Sequence, residues 1–280
     1  MKRKILLSFA CSVFIAAVLT AIIAPLCYAQ AGTERDGKEV NEYEISVPFE
    51  VDIDSLYAKD EEEQPVKPEY EDIASKFLTT DALIRNEFNG AFMDVLESDF
   101  SKVYVKLAEY FNYGIMYDVV YTIDPDTDAA AYQTAGRNPL EKKIALNPNY
   151  FKANRNDFGV LTHELTHTVQ EYRDARYSAP NTSEGGNWIT EGITDWSRYT
   201  FDRYPFSLPS YSASQSYTDS YRVTARFFLW IDQNIDDTFL EQFNEGLKCE
   251  VYTSKLFTKI TGKTLDELWS LYAASDHRVV

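Results

Sequence analysis

Two of the three histidines in this 280-residue chain lie four residues apart, in a segment whose apolar residues recur at helical spacing. Residues four apart on an α-helix lie one above the other, so His163 and His167 project from the same side of a helix predicted over Asp157–Arg173. Leu161 and Leu165 fall on the opposite side, where they can anchor the helix in an apolar core. The spacing therefore predicts a half-buried helix with both imidazoles on one face.

The residue after the first histidine adds a second chemical group, because Glu164 completes the pattern His-Glu-x-x-His. Two imidazoles on one helical face can bind one zinc ion in adjacent tetrahedral positions. Glu164 is rotated too far around the helix to join them, but it can reach a water molecule on the metal, where a general base belongs. The alternative is a surface or core helix that carries two histidines by coincidence, and a third ligand would separate these interpretations.

A pair of carboxylates downstream supplies that third ligand. Glu191 follows His167 by 24 residues, and Asp195 lies one helical turn beyond it, so both carboxylates face the same way. We expect Glu191 to bind the zinc ion and Asp195 to accept the outer N–H of a ligating imidazole, for which we take His163. Ordinary solvent-facing acids are the alternative, but interleaved tryptophans and isoleucines indicate burial, and buried carboxylates need partners.

Four separate segments of the chain form a joint pattern that extends over roughly residues 115–272. The segments are Gly159–His167, Glu191–Asp195, Tyr221–Phe228 and Gly262–Trp269. The first two look like the gluzincin class of metallopeptidases, which includes thermolysin, and all four are similar to the basic secretory protein family of plants and bacteria, classed among peptidases. The chain departs from the plant members because it is acidic where they are basic, which leaves substrates and partners open.

The resemblance implies a zincin-like fold of the α+β class, with a twisted mixed sheet, an active-site helix beneath it and a mainly helical C-terminal half. In such enzymes the edge strand lies along the cleft, and an extended peptide adds to it as a further strand. Ala130–Tyr132 and Lys143–Leu146 are the two candidates for this strand, and the sequence does not decide between them. The implied activity is peptide-bond hydrolysis, with Zn²⁺ as cofactor and a peptide or protein as substrate.

A tetrahedral oxyanion formed during peptide hydrolysis needs a second donor besides the metal. Thermolysin-like enzymes use a histidine or a tyrosine there, and the remaining histidine, His277, lies three residues from the end of the chain. We therefore expect a tyrosine, and Tyr221 is the candidate because it opens a family-like segment and a phenol can donate without ionising. Since the chain has 20 tyrosines, a purely structural role is the alternative.

The first 29 residues have the pattern of a signal peptide. Three cations at residues 2–4 precede an almost unbroken apolar run, Ile5–Leu26, and small residues favour cleavage before Gln30. We therefore predict export, to the periplasm, the cell surface or the medium. An uncleaved anchor is the alternative, because the apolar run approaches the ~20 residues that span a bilayer.

The rest of the chain divides into an acidic lead-in, residues 30–79, and a peptidase-like domain, residues 80–280. The lead-in is charged and interrupted by proline, as linkers are, and Tyr43–Val51 alternates like one edge strand. Apolar spacing predicts strands at Asp118–Ile123 and Lys142–Leu146, and helices at Asp81–Leu96, Ser101–Phe111, Asp157–Arg173, Ile189–Phe201, Tyr221–Gln233 and Leu265–Ala274. Strands followed by helices are typical of the α+β class.

The formal net charge of −17 limits the partners of the chain. An acidic protein repels nucleic-acid phosphates and anionic membranes, so we expect no nucleic acid and no membrane contact beyond a possible N-terminal anchor. Beyond the leader only Cys249 remains, which excludes an internal disulfide, and we expect this thiol to be buried.

Three functions fit the sequence, and an exported zinc peptidase with Glu164 as general base is the favoured one. A catalytically idle zincin-fold binding module and a surface adhesion protein are the alternatives. The intact Glu164 argues against the idle module, because a degenerate enzyme can readily lose its base. The oligomeric state, the subsite preference and the choice between endo- and exopeptidase action stay open.

Overall fold

The structure is a computed structural model. In the part of the chain that it describes, four short strands form the only sheet. That part comprises residues 73–80, 83, 90–172, 180–202, 206–249 and 251–276. The strands are β1 (Phe77–Thr79), β2 (Asp118–Ile123), β3 (Ala131–Ala135) and β4 (Glu141–Leu146). Their order is β1-β2-β4-β3; β1 and β4 run parallel to β2, and β3 runs antiparallel to β4. The sheet is therefore mixed.

The sheet order decides between the two segments offered for the edge strand. Lys143–Leu146 belongs to β4, which pairs with β2 on one side and β3 on the other, so it is an interior strand. Residues 131 and 132 belong to β3, which lies at the end of the sheet. The prediction is therefore wrong for Lys143–Leu146, and the edge falls on β3.

Helices make up most of the rest of the described chain, one between β1 and β2 and the others after β4. They are α1 (Gly90–Asn112), α2 (Pro148–Ala153), α3 (Gly159–Gln170), α4 (Trp188–Phe201), α5 (Tyr221–Asn234), α6 (Phe239–Cys249), α7 (Lys255–Thr261) and α8 (Leu265–Ala274). The protein is thus a mixed α+β protein with a small mixed sheet and a mostly helical C-terminal half. Among the described residues no helix combines the length and apolar character needed to cross a bilayer.

The sequence predicted two helices, Asp81–Leu96 and Ser101–Phe111, in the region where the structure has the single helix α1. The structure has one helix from Gly90 to Asn112, and residues 97–100, which the prediction left between two helices, continue it. Leu96, Phe100 and Leu107 are fully buried at helical spacing, so the apolar stripe passes through the supposed gap. Of residues 81–89 only Leu83 is described.

Several predictions fall on residues outside the described part. The signal peptide, most of the acidic lead-in with Tyr43–Val51, and His277 all lie there. Cys249 is described, and the expectation of burial is wrong, because the residue is exposed at the end of α6.

The core between the C-terminal helices is built from aromatic rings. Trp188 at the start of α4 is fully buried and lies 5.9 Å from Phe228 of α5 and 6.5 Å from Phe257 of α7, between ring centroids. Phe257 in turn lies 4.8 Å from Phe243 of α6. Because large aromatic groups bury much apolar surface, this cluster fixes α4 against the helices that follow it.

Helix α3 lies between neighbours that hold it from several sides. It contacts α1, α4 and the edge strand β3. Leu161, Leu165 and Val169 are fully buried, while the opposite face carries the two histidines. The helix ends at Gln170 because Glu171 adopts a left-handed conformation with a φ of 42°.

A glycine allows α4 and α5 to approach closely. A Cβ atom at Gly192 would lie 2.3 Å from Cγ2 and 2.7 Å from Cβ of Thr224 on α5. Since Thr224 is fully buried and β-branched, it cannot turn away easily. Gly192 therefore sets the spacing of these two helices at the residue next to Glu191.

We predict that Gly192→Ala destabilises the protein although alanine is the better helix former. The gain in helix propensity is about 1 kcal/mol, whereas overpacking in a tight core costs about 1–3 kcal/mol. Gly246→Ala on α6 is the matched control, because its Cβ would meet only the flexible end of Leu256. Urea unfolding should show a lower midpoint for Gly192→Ala than for Gly246→Ala, and the reverse order would contradict the packing argument.

Candidate metal centre

Three side chains from two helices meet at one point. Nε2 of His163 lies 3.2 Å from Nε2 of His167, four residues along α3. Oε2 of Glu191, in the first turn of α4, lies 3.1 Å from Nε2 of His163 and 3.6 Å from Nε2 of His167. The three residues are the one group among the described residues that could hold a metal ion. The structure therefore brings together the three residues predicted as ligands.

The outer nitrogen of each imidazole meets a polar side chain. Nδ1 of His163 lies 3.1 Å from Oδ1 of Asp195, the carboxylate predicted for this position. Nδ1 of His167 lies 2.8 Å from Oε1 of Gln170, which the sequence analysis did not single out. The signal for Gln170 is its position three residues after His167, on the same face of the helix.

The distances among the three inner atoms fit a small divalent cation. A tetrahedral zinc ion with bonds of about 2.0–2.1 Å separates its ligand atoms by about 3.3–3.4 Å, and the observed separations are 3.1–3.6 Å. When each outer nitrogen carries the imidazole hydrogen, the inner atoms are all electron-pair donors. The two nitrogens and one oxygen also match the donor types that zinc binds.

The electrostatics of the cluster favour a positive charge at its centre. Burial lowers the pKa of His163, but hydrogen bonds with Asp195 and Glu191 outweigh it and raise this pKa to about 10. Burial raises the pKa of Glu191, but hydrogen bonds to His163 and His167 outweigh it and hold this pKa well below its usual range. The surrounding carboxylates thus stabilise a cation here, whether a proton or a metal ion.

Glu164 lies beside the cluster but is not part of it. Its side chain is buried, and burial raises its pKa, while the neighbouring histidines partly offset that increase. The main chain of Gln133, on the edge strand β3, lies beside its carboxylate and lowers this pKa. Glu164 thus links the candidate ligands to the strand that borders the cleft.

Tyr221 lies against the ring of His163, at a turn of the backbone with unfavourable φ values. Its ring is half exposed and stacks on the ring of His163, with 6.2 Å between centroids and 21° between planes. Ser220 and Tyr221 have φ values of 70° and 48°, in the left-handed region that non-glycine residues rarely adopt. Partial burial, with Glu191 and Asp195 nearby, raises the pKa of Tyr221, so its phenol keeps its hydrogen.

One cavity of about 810 Å³ contains all six residues predicted for the site. The edge strand β3 and the residues before it form one wall, and the start of α5 forms another. The six residues are His163, Glu164, His167, Glu191, Asp195 and Tyr221. An extended cleft with a strand edge beside a candidate metal site can receive an elongated substrate.

Fold and site together define an α+β protein with a candidate metal centre in an open cleft. The model of the BSP family, described as a peptidase of plants and bacteria, matches residues 86–272, so the chain belongs to this family. The resemblance to the basic secretory protein family is thereby confirmed, and the match extends further towards the N-terminus, to residue 86 before the start of α1. No curated protein and no solved structure matches the chain.

We predict that Asp195→Asn weakens divalent-metal binding by ~10–100-fold, because the amide oxygen still accepts from His163 but the negative charge is lost. Metal affinity can be measured by competition with a chromophoric chelator. Asp94→Asn, on the exposed face of α1, is the matched control and should bind like the wild type. Equal affinities for the two variants would contradict the role of Asp195.

Proposed function

We propose that this protein is an exported zinc-dependent peptidase with a zincin-like fold. The convergence of two imidazole nitrogens and one carboxylate oxygen within 4.8 Å carries the proposal. Membership of a family described as peptidases supports the reaction type. The pattern at residues 1–29 supports export, and the substrate is a peptide or a protein.

His163, His167 and Glu191 would hold the zinc ion. When bound, such an ion supplies Lewis acidity, which polarises a carbonyl group and makes a water molecule more acidic. Three protein ligands leave zinc a position for water or substrate, as in catalytic rather than structural sites. The buried surroundings of the two histidines strengthen electrostatic interactions at this position.

Glu164 is the proton acceptor of the proposed mechanism. Burial raises its pKa, which brings the carboxyl group closer to the working range of a general base, and the nearby histidines partly offset that increase. It accepts the proton of the attacking water and then gives it to the leaving amine. Glu164 and Gln133 of β3 both line the cleft.

Tyr221 is the proposed donor to the carbonyl oxygen of the scissile bond. Its raised pKa keeps the phenol neutral, so that the hydroxyl can donate a hydrogen bond as negative charge develops on that oxygen. Its ring stacks on that of His163 and lines the same cavity as β3.

The outer edge of β3 is the proposed binding site for an extended peptide. Ala130 accepts a hydrogen bond from Asn147, and Gly136 donates one to Glu141, so even-numbered residues face β4. By the alternation of antiparallel strands, residues 131, 133 and 135 direct their main-chain groups away from β4. The main chain of residue 133 already faces Glu164, so a substrate strand would pair with residues 131 and 135, on either side of it.

The decisive experiment combines a metal assay with substrate profiling of the purified protein. Stoichiometric zinc together with cleavage of an unbiased peptide library supports the proposal. Zinc without cleavage would favour the idle binding module, and absence of zinc would remove both zinc-based functions. Mass spectrometry of the products also distinguishes endo- from exopeptidase action.

We predict that Glu164→Gln lowers kcat by ~10²–10⁴-fold while the zinc content stays at the wild-type level. The amide has nearly the same shape but cannot accept the proton, and the residue is not a ligand. Glu97→Gln, on the exposed side of α1, serves as the matched control and should retain full activity. Wild-type turnover in Glu164→Gln would refute the assigned base.

A second prediction concerns Tyr221→Phe, which should lower kcat by ~10²–10³-fold with little change in KM. The loss falls on kcat because the hydroxyl acts mainly in the transition state. Tyr113→Phe, at an exposed tyrosine after α1, is the control. If Tyr221→Phe kept the wild-type kcat, the carbonyl oxygen would have to find its donor elsewhere.

A further inference from the structure

Gln170, the last residue of α3, joins the two helices that carry the candidate ligands. The residue is almost completely buried, with 1% of its surface exposed. Its Oε1 lies 2.8 Å from Nδ1 of His167, and its Nε2 donates to the carbonyl of Thr190 at 3.0 Å and to Oγ1 of Thr194 at 3.2 Å. One side chain thus contacts a histidine of α3 and the first turns of α4.

The carbonyl of Thr190 fixes the direction of the Gln170 amide. A carbonyl oxygen only accepts hydrogen bonds, so the amide NH₂ must face it. The hydroxyl of Thr194 gives its own hydrogen to the same carbonyl at 2.6 Å and offers a lone pair to the amide. The amide oxygen is therefore the atom that faces His167, and it requires a hydrogen on Nδ1 of that ring.

We infer that Gln170 is a positioning residue, which selects the tautomer of His167 that carries its hydrogen on Nδ1 and directs the lone pair of Nε2 towards His163 and Glu191. The inference deepens the proposed function and rests on it for the metal. Gln170 does for His167 what Asp195 does for His163, but without adding negative charge. Since Gln170 also binds the main chain one residue before Glu191, it fixes the third ligand relative to the second.

Two variants of Gln170 separate tautomer selection from packing. Gln170→Leu keeps the volume and removes the acceptor, so zinc affinity in a chelator competition should fall by ~10–100-fold. Gln170→Glu keeps an acceptor for Nδ1 and should recover most of that affinity, although its carboxylate faces the carbonyl of Thr190 and lowers stability. Gln242→Leu, at an exposed position of α6, is the matched control and should bind zinc like the wild type.

A purely structural role gives a different result. In that case Gln170→Leu and Gln170→Glu both lower the urea midpoint, and the folded variants bind zinc like the wild type. Equal loss of affinity in the two variants would also overturn the inference, because the acceptor would then be irrelevant. The visible spectrum of the cobalt-substituted protein provides a second readout, since a misoriented imidazole changes the ligand field.

A measurement on the wild type keeps the inference testable if the variants fail to fold. Nitrogen-15 NMR of histidine-labelled, metal-free protein at mildly alkaline pH reports which ring nitrogen of His167 carries hydrogen. We expect hydrogen on Nδ1 and none on Nε2, and hydrogen on Nε2 would overturn the inference. If the wild type binds no zinc but shows this tautomer, the proposed function fails while the role of Gln170 in tautomer selection stands.

Discussion

A buried set of electron-pair donors has to contain a positive charge, and the candidate site depends on this constraint. His163, His167 and Glu191 direct their inner atoms at one another, while Asp195 and Gln170 occupy the outer nitrogens of the two rings. Without a cation, three acceptors would face each other in a poorly solvated place, which is costly. The raised pKa of His163 and the lowered pKa of Glu191 have the same cause, since both favour a positive charge beside the carboxylates.

The packing of the rest of the fold sets the distance between α3 and α4, the two helices that carry this cluster. Helix α3 brings both histidines, and helix α4 brings Glu191 and Asp195 on consecutive turns. The aromatic cluster around Trp188 fixes α4 from the C-terminal side, and α1 and β3 hold α3 from the other. Polar atoms that meet within 3.1–3.6 Å therefore depend on apolar packing well outside the cleft.

The sequence predicted the local parts of this arrangement and failed where pairing over long distances decides. Four-residue spacing within one helix placed His163 beside His167, and the same rule placed Asp195 beside Glu191. The edge strand could not be predicted, because the order of strands depends on partners far along the chain. For a similar reason the sequence did not predict that α1 is one continuous helix, since Asp99 is polar but is fully buried in the fold. The one sequence signal for Gln170 is its position three residues after His167, and its other partners, Thr190 and Thr194, come from α4.

The candidate metal ligands and the proposed oxyanion donor are held in different ways, yet one residue connects them. The ligands lie within regular helices, whereas Tyr221 follows Ser220 at a corner with two left-handed residues, which costs about 1–3 kcal/mol for each residue. Thr224 holds that corner, because its hydroxyl donates to the carbonyl of Tyr217 at 2.7 Å, just before the strained residues. The methyl group of the same Thr224 packs on Gly192, next to Glu191. Thr224 therefore contacts both the helix turn that carries Glu191 and the corner that carries Tyr221. The position of the proposed donor is thus coupled to that of the candidate metal site through one helix crossing.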